Sequence, residues 1–221
     1  MSIVPELLPI WFLIACLLPT LGLLIWAWRW TNWRALQSQP FLQHIFYIAC
    51  LALAGLWCIR AGISSGLGIH FMGLTAATLL MGWSLALMAG ALSLLFVTVI
   101  GLESFWCFGV NYLISVALPV STSYTILRWI QSRLPSNPFI YIFLCGFFNG
   151  AFSIFCVAVS TSLMLGLLEV YSWDKVYDNY FMYLPLMLFP EAFMNGMIVA
   201  GVMGTKPELL SSFNVDEYFK D

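Results

Sequence analysis

The sequence predicts an all-α membrane protein, a polytopic bundle of about seven transmembrane helices. Its 221 residues are 62% hydrophobic and 8% charged, whereas soluble domains carry roughly 25% charged residues. Several apolar stretches reach the length of about 20 residues that a helix needs to cross a bilayer. The polar stretches are too short for a soluble domain, so we expect any nucleotide-binding domain to belong to another chain. The net charge of −2 gives no indication of nucleic acid as a partner.

The first two predicted helices cover residues 7–28 and 41–59. Pro19 lies inside the first helix and predicts a kink, because proline lacks the N–H that an interior helix position needs. Tryptophan and arginine side chains follow the first helix, as is typical of a membrane interface. They are Trp26, Trp28, Arg29, Trp30, Trp33 and Arg34.

The next apolar segment, residues 71–101, is too long for one crossing. As one helix it would extend about 46 Å, against a hydrocarbon core of about 30 Å. A break at Gly82 and Trp83 divides it and gives seven crossings in all. With the amino terminus outside, the inner loops then hold six basic residues and the outer loops two. The positive-inside rule favours this arrangement over six crossings.

The fifth and sixth predicted helices cover residues 111–129 and 139–168. Pro119 predicts a kink in the fifth. Gly146 and Gly150 have the spacing that lets a second helix approach closely, so we expect tight packing along that face of the sixth helix.

The seventh helix is predicted over residues 180–203, after an outer loop at 169–179. Pro185 and Pro190 fall inside it, and for this reason we expect an irregular helix. The whole chain is predicted as one integral membrane domain: an outer amino terminus (1–6), a helical bundle (7–203) and an inner polar tail (204–221).

The loop at residues 62–73 is rich in glycine and serine and carries His70, one of two histidines. Polar backbone at membrane depth survives only where protein or a water-filled cavity surrounds it. Imidazole and thiolate are ligands that select transition metals. Asn111, Cys58 and Cys107 are predicted near the same membrane face. Two interpretations stay open: a small-ligand or ion site, or an ordinary loop whose histidine has no function.

Glu191 lies in the middle of the last apolar segment, where a carboxylate is energetically expensive and a functional candidate. Asn195 is four residues further, on the same helical face, and could hydrogen-bond to it. The alternative is an acid that fixes helix packing. The predicted topology puts Glu191 at mid-membrane and His70 at the outer edge, so the two are not expected to act together in an enzyme. Signatures of serine hydrolases, P-loop proteins and zincins are also missing.

Several motifs occur in a familiar order. They are His70-Phe71-Met72-Gly73, Leu80-Met81-Gly82-Trp83, Gly109-Val110-Asn111, Pro119 with Tyr124, and the segments 191–196 and 207–210. Their order and spacing resemble the cobalt/nickel-uptake membrane subunits of energy-coupling-factor ABC transporters, the CbiM/NikM type. The similarity covers about residues 62–210, and the first two helices match only in layout.

The resemblance implies a seven-helix permease subunit, not an enzyme, that captures Co(II) or Ni(II) at the outer face. Such subunits cross the plasma (inner) membrane of a bacterium several times and are surrounded by lipid. They transfer the ion with a transmembrane coupling subunit and ATP-binding subunits on separate chains, for cobalamin synthesis or for nickel enzymes. The metal is the transported ligand, and no permanently bound cofactor is expected.

The resemblance also implies a ligand set. In the family the chain begins Met-His, and the terminal amine, a backbone nitrogen and that imidazole bind the metal together with the loop histidine. The corresponding ligands here are Met1, Ser2 and His70, with Asn111 nearby, and the imidazole at the second position is missing. Two alternatives stay open: the same fold with a changed small-solute substrate, or an intramembrane partner or anchor protein.

Overall fold

The bundle seen in a computed structural model of the chain is almost entirely helical, and the structure describes residues 3, 5–62, 68–179 and 181–218. Two-residue strands β1 (Ala61–Gly62) and β2 (Gly68–Ile69) pair antiparallel. The helices are α1 (Ile10–Trp30), α2 (Trp33–Ser38), α3 (Pro40–Cys58), α4 (Leu74–Val99), α5 (Phe105–Arg133), α6 (Pro138–Leu167), α7 (Trp173–Asn179), α8 (Leu184–Thr205) and α9 (Val215–Tyr218).

Six stretches of the described chain are long and apolar enough to cross a membrane: α1, α3, α4, α5, α6 and the segment Trp173–Thr205. The third of them is divided. Gly82 inside α4 has φ 79° and ψ 168°, which are not helical angles. The predicted class, an all-α membrane protein with about seven helices, is confirmed.

The two parts of α4, residues 74–81 and 83–99, lie side by side. A Cβ placed on Gly90 would be 3.4 Å from Leu74 Cδ2, although in one straight helix these residues would be about 24 Å apart. The chain therefore folds back at Gly82, the break that the length of the apolar segment predicts. We call residues 74–81 the half-helix; it is about 12 Å long.

The start of the chain and its tail lie at opposite ends of the bundle. The Ile3 amide donates to Asn111 Oδ1, whereas the Ser212 carbonyl accepts from Gln131 Nε2. Asn111 and Gln131 are 20 residues apart on α5, or about 30 Å at the usual helical rise. Opposite ends require an odd number of passes through the bundle, as seven passes would give.

The prediction that the last helix is irregular is wrong. Helix α8 is continuous, since Pro185 lies in its first turn, where a missing N–H removes no helical hydrogen bond, and Pro190 is accommodated inside it. The predicted loop at 169–179 contains the short helix α7. In α5, by contrast, a π-helical turn at Leu113–Ala117 precedes the predicted kink site.

Glycines of α6 bring it close to α8. A Cβ placed on Gly146 would be 3.3 Å from Val199 Cβ, and one on Gly150 would be 3.2 Å from Asn195 Cβ. The tight packing expected from the spacing of these two glycines is confirmed. It also fixes the position of Asn195 inside the bundle.

Candidate metal-binding site

The first turn of the half-helix is capped by a side chain from a distant helix. Glu191 Oε2 accepts from the Met72 amide and Oε1 from the Gly73 amide, each at 2.8 Å. The first N–H groups of a helix have no partner within it, and their positive dipole end favours a carboxylate. Gly73 has φ 67°, a left-handed angle that suits glycine. Glu191 therefore anchors the end of the loop that carries His70.

Asn195 completes this cap. Its Oδ1 accepts from the Ala76 amide at 2.8 Å, and its Nδ2 donates to Glu191 Oε1 at 2.9 Å. Both side chains are buried, with 3% of Glu191 and none of Asn195 exposed. The pairing of Asn195 with Glu191, expected from their spacing of four residues, is confirmed.

The expectation that Glu191 and His70 lie far apart is wrong. Glu191 binds the amides of Met72 and Gly73, the second and third residues after His70. The physical reason is that the loop enters the bundle: Leu74 packs beside Gly90, half-way along residues 83–99. A membrane-depth argument from the sequence alone places this loop at the surface instead.

His70 is buried at this end of the bundle, with 7% of its surface exposed. Its Nδ1 lies 3.1 Å from the Phe71 carbonyl oxygen. Because a carbonyl oxygen can only accept, Nδ1 carries the proton and Nε2 keeps the lone pair. Metal-binding histidines are held in this way, with one ring nitrogen donating to a backbone carbonyl and the other available to a metal.

Trp57 supports the same segment. Its ring centroid is 5.6 Å from that of His70, and its Nε1 donates to the Met72 carbonyl at 3.2 Å. Burial lowers the pKa of His70 well below its ordinary value of 6.5, and the positive charge of Arg60 lowers it further. The imidazole is therefore neutral near pH 7, the form that binds a metal.

A polar chain at this end holds the start of the protein. Asn111 Nδ2 donates to Glu103 Oε2 at 2.7 Å, and Glu103 Oε1 pairs with Arg60 Nη1 at 2.8 Å. Asn111 Oδ1 accepts from the Ile3 amide at 3.4 Å. Sequence reasoning missed Arg60 and Glu103 as support of this site. Their position at the ends of adjacent apolar segments was the available signal.

The remaining predicted residues divide as follows. Met1 and Ser2 lie outside the described residues. Cys58 is exposed at the end of α3. Cys107 is fully buried in an apolar cluster that includes Ile3. Within the described part of the chain, no three His, Cys, Asp or Glu side chains form a group that could hold a metal ion.

The family described as CbiM, cobalt uptake substrate-specific transmembrane region, matches residues 3–209. The chain belongs to this family. It is accordingly a multi-pass membrane transport protein and not an enzyme, and it serves metal uptake, as the resemblance implied.

Two solved structures have the same fold as this CbiM-family protein. A truncated transition metal transporter is 17% identical, covers 92% of this chain and 99% of its own, and has a TM-score of 0.76. A second transition metal transporter is 16% identical, covers 92% and 93%, and has a TM-score of 0.75. At this identity the similarity supports the fold alone. A search of curated proteins finds no match.

Proposed function

We propose that this CbiM-family protein is the substrate-capture subunit that takes up Co(II) or Ni(II), and that His70 Nε2 is a ligand of the ion. The observation that carries the proposal is the held, neutral imidazole: burial keeps it uncharged, and the Phe71 carbonyl fixes its tautomer. Imidazole nitrogen suits cobalt and nickel.

The other ligands are proposed from the family pattern. They are the Met1 amine and the backbone nitrogen of Ser2, because Ile3, the next residue, is tied to Asn111 at the His70 end of the bundle. Asn111 then acts by holding the amino-terminal segment, since both ends of its amide already have partners. With one imidazole fewer than the family pattern, we expect weaker binding of either ion.

The division of labour follows from the same family. We propose that a transmembrane coupling subunit and ATP-binding subunits on separate chains drive transport, in the inner membrane of a bacterium. The His70 end of the bundle faces outward and the tail faces inward, as the split of six to two basic residues favours. The imported ion would serve cobalamin synthesis or nickel enzymes.

A second candidate function is uptake of another small solute by the same fold. The observation that favours it is Ser2, which stands where the family has a metal-binding histidine. The two functions differ in what they require of His70, so one experiment separates them.

The experiment is a titration of the detergent-purified protein with Co(II) and Ni(II). His70→Ala is expected to abolish binding, and Ser2→His to strengthen it by restoring an imidazole. His44→Ala is the matched control, since His44 is the other histidine, is exposed and lies on α3. If His70→Ala and His44→Ala both bind like the wild type, the proposed site does not exist and the changed-substrate function is favoured.

A further inference from the structure

The half-helix is also held at its second end, at the opposite side from His70. Gly82 ends the helical geometry, so the last carbonyl groups of residues 74–81 need partners from elsewhere. The Ser211 amide donates to the Leu80 carbonyl at 3.1 Å, and Ser212 Oγ donates to the Leu79 carbonyl at 3.0 Å. Two consecutive residues of the tail thus cap this end.

The capping serines are themselves fixed to the bundle. Gln131 Nε2 donates to the Ser212 carbonyl at 2.6 Å, which ties the tail to α5. The hydroxyls of Tyr141 and Ser212 are 2.5 Å apart, which ties it to α6. The rings of Tyr141 and Phe213 are in edge contact at 5.1 Å. The tail therefore provides a firm support for the end of the half-helix.

Hydrogen bonds carry this support on the side of the tail. A cavity of about 530 Å³ lies beside Gly82, lined by Thr78, Tyr124, Arg128 and the tail itself. A Cβ placed on Gly82 would find its nearest atom, Ser211 Oγ, at 3.9 Å. Close packing is therefore absent around Gly82 within the described part of the chain.

An isolated helix of eight residues is not stable, because nucleating a helix is unfavourable. The order of the half-helix therefore depends on the contacts at its two ends, Glu191 with Asn195 at one and the tail serines at the other. The amides of Met72 and Gly73 meet Glu191 only while the half-helix is in place. These amides belong to the same loop as His70.

We propose that Ser211 and Ser212 are positioning residues of the metal site, acting through the half-helix from the other end of the bundle. The proposal rests on the proposed function, in which His70 binds the ion. When the serine cap is removed, the half-helix frays and the loop must be ordered again each time the metal binds. Affinity falls because that ordering opposes binding.

The test compares the wild type with Ser212→Ala, Ser212→Thr and the double variant Ser211→Ala/Ser212→Ala. Loss of one hydrogen bond is expected to weaken Co(II) binding about fivefold for Ser212→Ala. The double variant should lose more, and Ser212→Thr, which keeps the hydroxyl, should recover wild-type affinity. Ser132→Ala is the matched control, because Ser132 is exposed at the same end and its hydroxyl bonds only within α5, to the Trp129 carbonyl.

A second readout does not need the metal. Amide hydrogen exchange over residues 70–76 of the metal-free protein should be faster in Ser212→Ala and unchanged in Ser132→Ala and Ser212→Thr. Wild-type exchange and wild-type affinity in Ser212→Ala overturn the proposal. Faster exchange in a protein that binds no metal even as wild type supports the positioning and refutes the proposed function. Equal loss of affinity in Ser132→Ala shows a general effect and also overturns it.

Discussion

Replacing Glu191 by glutamine tests whether the carboxylate holds the His70 loop. Oε1 accepts from Gly73 and Asn195, and Oε2 accepts from Met72. A glutamine can keep one oxygen at Oε1, but its amide group then points a donor at the Met72 amide, which is also a donor. Loss of a charge-assisted hydrogen bond and a buried unpaired N–H together cost about 3 kcal/mol.

This loss should be measurable as a lower midpoint of thermal unfolding in detergent. For a chain of this size we expect a decrease of about 6–12 °C in Glu191→Gln. Glu191→Lys should be much worse, since it leaves both amides unpaired and puts a cation at the positive end of a helix. Glu208→Gln is the matched control, because Glu208 is an exposed carboxylate near the tail.

The reasoning fails if Glu191→Gln unfolds within about 1 °C of the wild type, which is less than the loss of a single hydrogen bond would give. If that stable variant also transports no metal, the carboxylate is part of the ion path and not a structural cap. A stable variant with normal transport would give Glu191 neither role.

Two further predictions concern pH and topology. Since burial holds the pKa of His70 below 6.5, protonation of the imidazole should weaken Co(II) binding only as the pH falls below 6.5. Titrations in that range should show a loss that a second ring at Ser2→His makes steeper; a loss complete above 6.5 would contradict the lowered pKa. In intact cells, a cysteine at Ser2 should react with an impermeant reagent and one at Ser212 should not, and labelling of both would exclude opposite ends.

The fold was largely predictable because its main constraint is length. A segment of residues 71–101 cannot cross a bilayer once, so a break was required, and Gly82 supplies it with a left-handed angle. The spacing of Gly146 and Gly150 likewise gave the contact of α6 with α8. Pro190 misled, because a proline inside a packed helix can be accommodated by its neighbours.

The candidate site was only partly predictable. A four-residue spacing gave the bond between Glu191 and Asn195. The partners of that pair are backbone amides 118 and 119 residues away, as with Gly73 and Met72. Backbone amides leave no trace in the side-chain pattern, so the cap could not be read from the sequence. The depth to which the loop enters the bundle depends on the same contacts.

The most direct test of metal binding at His70 is anomalous X-ray scattering at the cobalt or nickel absorption edge, from crystals of the protein grown with each ion. We predict one strong peak within bonding distance of His70 Nε2, and no such peak in His70→Ala crystals. A peak that persists in His70→Ala, or a saturated wild-type crystal with no peak beside His70, would contradict the proposed site.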